Sequence, residues 1–192
     1  MSFSCGYVAL IGQPNAGKST LLNQVLGSKL AITSSKPQTT RNRIAGIHNT
    51  ETVQAILLDT PGIHEAWTEL NKSMVRRAME ALSEVDVACW LVDAAAKARC
   101  LEKDEDPIGP DDRAIAEALT ARGVPVILVL NKVDVVPKPL LLPLIAAFTE
   151  LLPAQATVPA SALTGDGVEG LLTEIEALLP EHPPLYPQDE WA

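Results

Sequence analysis

At 192 residues, with 47% hydrophobic against 20% charged side chains, the chain has the length of one domain and enough apolar surface for a core, which excludes a disordered segment. Lys and Arg number 15 against 24 Asp and Glu, a formal net charge of -9. That balance excludes a phosphate-backbone footprint spread over the surface, so no direct nucleic-acid binding is expected from this segment; a local anion pocket, built from a few backbone N–H groups and one lysine, is not excluded.

The first apolar run, residues 7–11, predicts a strand. It is too short for a secretory core or a membrane span, so a cytoplasmic chain is expected. It leads directly into Gly12-Gln13-Pro14-Asn15-Ala16-Gly17-Lys18-Ser19 and a predicted helix at 19–26 that begins with Ser19 and Thr20. The pattern GxxxxGK[ST] between a strand and a helix is a phosphate-binding loop. Its glycines let the backbone wrap closely, its N–H groups converge on phosphate oxygens, and the helix adds its positive end. Lys18 is the candidate to neutralise β- and γ-phosphate charge, and the Ser19 hydroxyl to ligate Mg2+.

Residues 33–41, Thr33-Ser34-Ser35-Lys36-Pro37-Gln38-Thr39-Thr40-Arg41, are polar and aperiodic. A threonine here, Thr40 in preference to Thr39, is the candidate to complete the Mg2+ shell when a γ-phosphate is present, a loop ordered by that phosphate and released after its loss. Residues 44–48 predict a strand antiparallel to the next, 53–58, which ends in Asp59-Thr60-Pro61-Gly62. Asp59 would hold Mg2+ through water, and the Gly62 N–H would meet the γ-phosphate. Ile63 follows and has no group to orient water, while His64 reads as a solvated histidine. Asn15 is the candidate ligand for a monovalent cation such as K+ bridging the phosphates.

A helix is predicted at 70–83 and a strand at 85–92. Residues 94–110, acidic and carrying two prolines, read as a surface excursion without chemistry. After a helix at 111–122, the strand at 124–130 runs into Asn131-Lys132-Val133-Asp134. The Asp134 carboxylate can accept both the N1–H and the exocyclic amine of guanine, Asn131 can tie neighbouring loops together, and the Lys132 stem can cover the base. Adenine would leave that carboxylate unpaired, and such a site rejects the wrong analogue by about 10⁴–10⁵-fold.

A helix at 140–152 and a short strand at 156–158 precede Ser161-Ala162-Leu163, which can offer a backbone N–H to the guanine O6. A last helix is predicted at 168–179. Residues 180–192 hold four prolines and no periodicity, and read as a linker. Cys5, Cys89 and Cys100 lack metal-ligand spacing and read as buried reduced thiols. Strands alternating with helices predict an α/β fold of the P-loop NTPase kind: a mostly parallel six-stranded sheet with one antiparallel strand and helices on both faces. Right-handed crossovers put every motif above on one edge of that sheet.

Together, residues 12–19, Gln38-Thr39-Thr40-Arg41, Asp59 to Gly62, Asn131 to Asp134 and Ser161 to Leu163 resemble the GTPase domain of the Era family over essentially the whole chain. Ile32-Thr33-Ser34 with residues 36–41 is the most discriminating stretch. The resemblance implies a GTP-hydrolysing switch, cycling between GTP and GDP with slow intrinsic turnover, in maturation of the small ribosomal subunit and its 16S rRNA. It also implies a C-terminal KH domain that binds the 3′ end of that RNA, whereas this sequence stops at Ala192. The chain is accordingly read as a GTPase domain over 1–179 and a linker over 180–192, monomeric, with RNA binding carried by the family and not by these residues. Membrane association, peripheral to the inner membrane in the family, has no support in this sequence. Two alternatives stand beside it: a GTP-dependent conformational module with negligible turnover, and a related GTPase of tRNA modification or metal transport, which would need further domains.

Overall fold

The computed structural model describes residues 3–27, 43–59 and 82–187. In chain order these form β1 (Ser4–Gly12), α1 (Lys18–Leu26), β2 (Arg43–Asn49), β3 (Val53–Asp59), a 3-10 turn at Leu82–Glu84, β4 (Val87–Asp93), α2 (Ala94–Leu101), α3 (Pro110–Arg122), β5 (Val126–Asn131), a 3-10 turn at Val133–Val135, α4 (Lys138–Leu151), β6 (Ala156–Pro159) and α5 (Val168–Leu178). One six-stranded sheet runs in the order β2-β3-β1-β4-β5-β6. Among the described strands only the β2–β3 pair is antiparallel, as the short turn between residues 49 and 53 dictates; the other neighbours are parallel.

The unbroken apolar runs of β4 and β5 follow from burial on both faces: every residue of Val126–Asn131 is buried. Alternate side chains feed two separate cores. Ile11, Trp90, Leu128 and Leu130 pack with Ala98, Ile115, Leu119, Leu144 and Phe148 beneath α2, α3 and α4. Leu10, Leu91, Ile127 and Val129 pack with Leu21, Leu171 and Ile175 beneath α1 and α5. Helices therefore cover both faces, as expected. β1 lies between β3 and β4, so the chain leaves it in both directions along the sheet, and in folds of this kind ligands bind beyond the carboxyl end of the strand at such a switch point.

One expectation needs correction. Residues 94–110 are not a plain surface excursion: Ala94–Leu101 is a helix, capped by the Asp93 carboxylate accepting from the Ala96 N–H at 2.9 Å, with Ala94 and Ala98 buried. Alanine is the best helix former, and its small side chain lets the backbone pack closely on the sheet, a signal that the following Glu102, Asp104, Glu105 and Asp106 masked in the sequence. The predicted helix at 70–83 lies outside the described residues except for its end, where Leu82–Glu84 makes a 3-10 turn.

Residues 180–186 carry no periodic pattern, yet they are tied to the sheet. β4 pairs with β1 only from Val8 onward, leaving the start of β1 with an open edge. The Cys5 N–H donates to Pro180 O at 3.1 Å and the His182 N–H to Phe3 O at 2.9 Å across that edge. Fully buried Gln54 of β3 accepts from the Leu185 and Tyr186 N–H groups and donates to Tyr186 O.

Candidate functional site

The carboxyl ends of β1, β3, β4 and β5 bring Gly12, Asp59, Asp93 and Asn131 to one rim of the sheet. At the end of β1 the chain turns through exposed Pro14 and Asn15 into α1. Asn15 has φ 64, a left-handed conformation that asparagine adopts more readily than most residues. Gly17 caps α1 at φ 97, and a Cβ there would collide with the Asn131 side-chain nitrogen. Glycine is required twice over, by backbone angle and by close approach. Gly12 is required by space, since a Cβ would meet the Leu91 carbonyl of β4.

Lys18 curls back over the loop: its Nζ donates to Gly12 O at 2.8 Å and Gln13 O at 2.9 Å. The Ala16 N–H closes the turn on Gln13 O at 3.2 Å. Ser19 and Thr20 lie exposed in the first turn of α1. Asp59 is the last residue of β3, one strand over from β1. Thr39, Thr40, Gly62, Ile63 and His64 lie outside the described residues. Among the described residues, no three His, Cys, Asp or Glu side chains group to hold a metal ion by themselves. No described helix is long and apolar enough to cross a membrane.

β5 delivers Asn131, 2% exposed, into the centre of the rim. Its Nδ2 donates to Ala16 O at 2.8 Å, and its Oδ1 accepts from the Ala162 N–H at 2.9 Å. The residue expected to tie loops together thus joins the phosphate loop to the segment after β6. Lys132 follows at φ 68, and the 3-10 turn at Val133–Val135 leaves Asp134 exposed toward solvent. The Val133 N–H bonds Ala160 O at 3.2 Å, fastening that turn to the end of β6. Ser161 and Ala162 are buried and Leu163 is 76% exposed.

Three residues without a role in the sequence reading enter the site. Asp93 Oδ2 accepts from Lys132 Nζ at 2.6 Å. Gln13 Nε2 donates to Asp112 Oδ1 at 2.8 Å, and Lys97 Nζ donates to Asp112 Oδ2. The position of Asp93 at a strand's carboxyl end, like Asp59 and Asn131, was a usable signal. Lys97 and Asp112 carried none, because their partners come from other elements.

The arrangement fits known proteins. Residues 7–132 match the family described as 50S ribosome-binding GTPase. The chain is 49% identical to GTPase Era of Geotalea uraniireducens over 187 residues, 97% of this chain and 60% of that protein, and 47% identical to GTPase Era of a Geobacter species (strain M21) over 97% of this chain and 60% of that protein. It therefore spans about 60% of the length of these relatives. A crystal structure of Era in complex with MgGDPNP and nucleotides 1506–1542 of 16S ribosomal RNA superposes with TM-score 0.75 at 39% identity, covering 97% of this chain and 61% of that one. An Aquifex aeolicus Era variant bound to GDP·AlF4- superposes with TM-score 0.74, again at 39% identity, over 97% of this chain and 61% of that one. The match of the family model over most of the chain, on the rim just described, makes this chain a member of the 50S ribosome-binding GTPase family, with Era GTPases among its relatives.

Proposed function

We propose that this chain is the guanine-nucleotide switch of an Era-type GTPase: it binds GTP with Mg2+ and hydrolyses the γ-phosphate. The observation that carries the reading is the double hydrogen bond of Asn131, which ties the phosphate loop to the segment after β6 from the end of β5. In that arrangement Asp134 reads the guanine edge, the Lys132 stem covers the base, the 161–163 turn offers a backbone N–H to O6, and N–H groups of residues 13–18 hold the phosphates.

The donor set suits magnesium: a hydroxyl, Ser19, beside a loop too tight for any Cβ at positions 12 and 17, and a carboxylate residue, Asp59, at the neighbouring strand end. Thr40 is the proposed ligand from the loop outside the described residues. When bound, Mg2+ withdraws charge from the phosphate oxygens. Lys18 adds a fixed positive charge on the same oxygens, exchanging its two carbonyl partners for them, and the Gly62 N–H marks the γ-phosphate. Asn15, exposed at the loop's tip, holds a monovalent cation in place of an arginine finger; equal single-turnover rates in K+ and Na+ buffers would remove that role.

For the whole protein we propose action on the small ribosomal subunit, supported by the likeness to the Era structure that holds a 16S RNA fragment. With a net charge of -9, this segment is not proposed to make a broad RNA contact itself. The deciding experiment is nucleotide titration of the unchanged chain and Asp134→Asn. The variant is expected to lose GTP and gain xanthosine triphosphate, whose base carries an acceptor where guanine carries its amine. GTP affinity unchanged in the variant would contradict the base assignment.

A further inference from the structure

Asp112 is 1% exposed, and both its oxygens are used. As the third residue of α3 it accepts from the Gly109 N–H through Oδ2 at 2.8 Å, an ordinary helix cap that occupies one oxygen. The other oxygen reaches out of the helix to Gln13, 99 positions earlier in the chain. A buried carboxylate is costly unless a cation compensates it, and Lys97 of α2 does so. Lys97 is itself held, 14% exposed, with its Nζ 5.8 Å from the centre of the Phe148 ring in the core.

Gln13 is where this buried group meets the nucleotide loop. Its side chain is fixed by Asp112, and its main-chain oxygen accepts from both Lys18 Nζ and the Ala16 N–H. From these contacts we infer that Asp112 is a positioning residue for the phosphate loop: braced by Lys97, it orients Gln13 and through it the turn that presents Lys18 and the loop N–H groups. The inference rests on the guanine-nucleotide reading above and extends it to residues on α2 and α3 that touch no nucleotide.

The test uses Gln13→Met, which keeps the side-chain size and removes the donor while leaving the α3 cap and the Lys97 pair intact. Dissociation of fluorescent N-methylanthraniloyl-GDP from the full 192-residue chain is expected to accelerate about tenfold, the scale of one charge-assisted hydrogen bond. Preference for GDP over inosine diphosphate should stay unchanged, because the base loop is untouched. Asp112→Asn turns the bond to Gln13 into a neutral one and should give a smaller acceleration, absent in the Gln13→Met background. Unchanged dissociation in Gln13→Met, or an equal effect of Asp112→Asn with and without Gln13, overturns the inference. Amide hydrogen exchange of residues 15–18 in nucleotide-free protein reads the same cycle independently. If the unchanged chain binds no guanine nucleotide, the function proposed above fails, and faster exchange in Gln13→Met, or its absence, still decides the role of Asp112.

Discussion

The side-chain amide of Asn131 donates to the main-chain oxygen of Ala16 across 115 positions of sequence, at 2.8 Å and out of contact with solvent. Its oxygen takes the Ala162 N–H as well, so one residue satisfies two buried backbone groups of two different loops. Asn131→Ala leaves both without a partner. At about 1–1.5 kcal/mol for each bond, the variant should lose roughly 2–3 kcal/mol of stability in urea unfolding. GDP affinity measured by calorimetry should fall by at least about 30-fold, since the two loops lose their common anchor. Affinity equal to that of the unchanged chain would mean that the loops hold their places without it.

Asp93→Asn separates the support of Lys132 from the fold. Asparagine caps a helix as well as aspartate, so α2 should survive and the melting temperature should barely move. The Lys132–Asp93 pair is partly exposed, at 36% and 22%, and is screened accordingly. Loss of GDP affinity of about three- to fivefold is expected at low salt, shrinking toward none near 1 M NaCl. Titrations at two salt concentrations check this; a loss independent of salt would show that the carboxylate acts otherwise than by its charge.

His48 of β2 should give the fold a pH dependence. Burial lowers its pKa from the ordinary value of about 6.5, and Glu176 of α5, 3.9 Å away, pulls it partly back. Between the lowered folded value and 6.5 the unfolded chain binds more protons, so stability rises with pH through that window and is lost as pH falls through it. Urea unfolding from about pH 7.5 to about pH 5 should show a larger loss for the unchanged chain than for His48→Gln. Identical slopes would exclude the histidine as the source.

The three cysteines should separate by reactivity. Burial pushes the Cys89 thiol up to about 12, and burial raises Cys5 as well. Cys100 on α2 is only half-buried, its Sγ 3.7 Å from Ala96 O. Titration with a disulfide reagent near pH 8 should therefore modify Cys100 alone while the chain is folded, and all three thiols in denaturant. Modification of Cys89 in the folded chain would contradict its burial.

Strand positions were readable because a parallel strand buried on both faces must be apolar at nearly every residue, so the predicted 85–92 and 124–130 stand out from any surface segment, while β4 itself starts at Val87 and β5 at Val126. Val124 and Pro125 lie outside β5, since proline has no N–H for the ladder and the pairing begins at Val126. Helix α2 was missed: it is short, built on alanine, and its buried face spans only two residues. The attachment of residues 180–186 was equally invisible, because it depends on main-chain groups meeting an edge that opens only where β4 stops pairing with β1.

By itself the sequence determined what is carried in continuous stretches: the GxxxxGK[ST] pattern between a strand and a helix, the Asn131 to Asp134 turn after a strand, and the order of the strands. Each of these rests on neighbours in the chain, and local backbone geometry dictates which residue types they need. Only the tertiary structure decided that Asn131 fastens Ala16, that Asp93 holds Lys132, and that Asp112 with Lys97 reaches Gln13. Those links join groups on different elements, and the right-handed packing of helices on a twisted parallel sheet, which no spacing in the sequence encodes, is what brings them within hydrogen-bond reach.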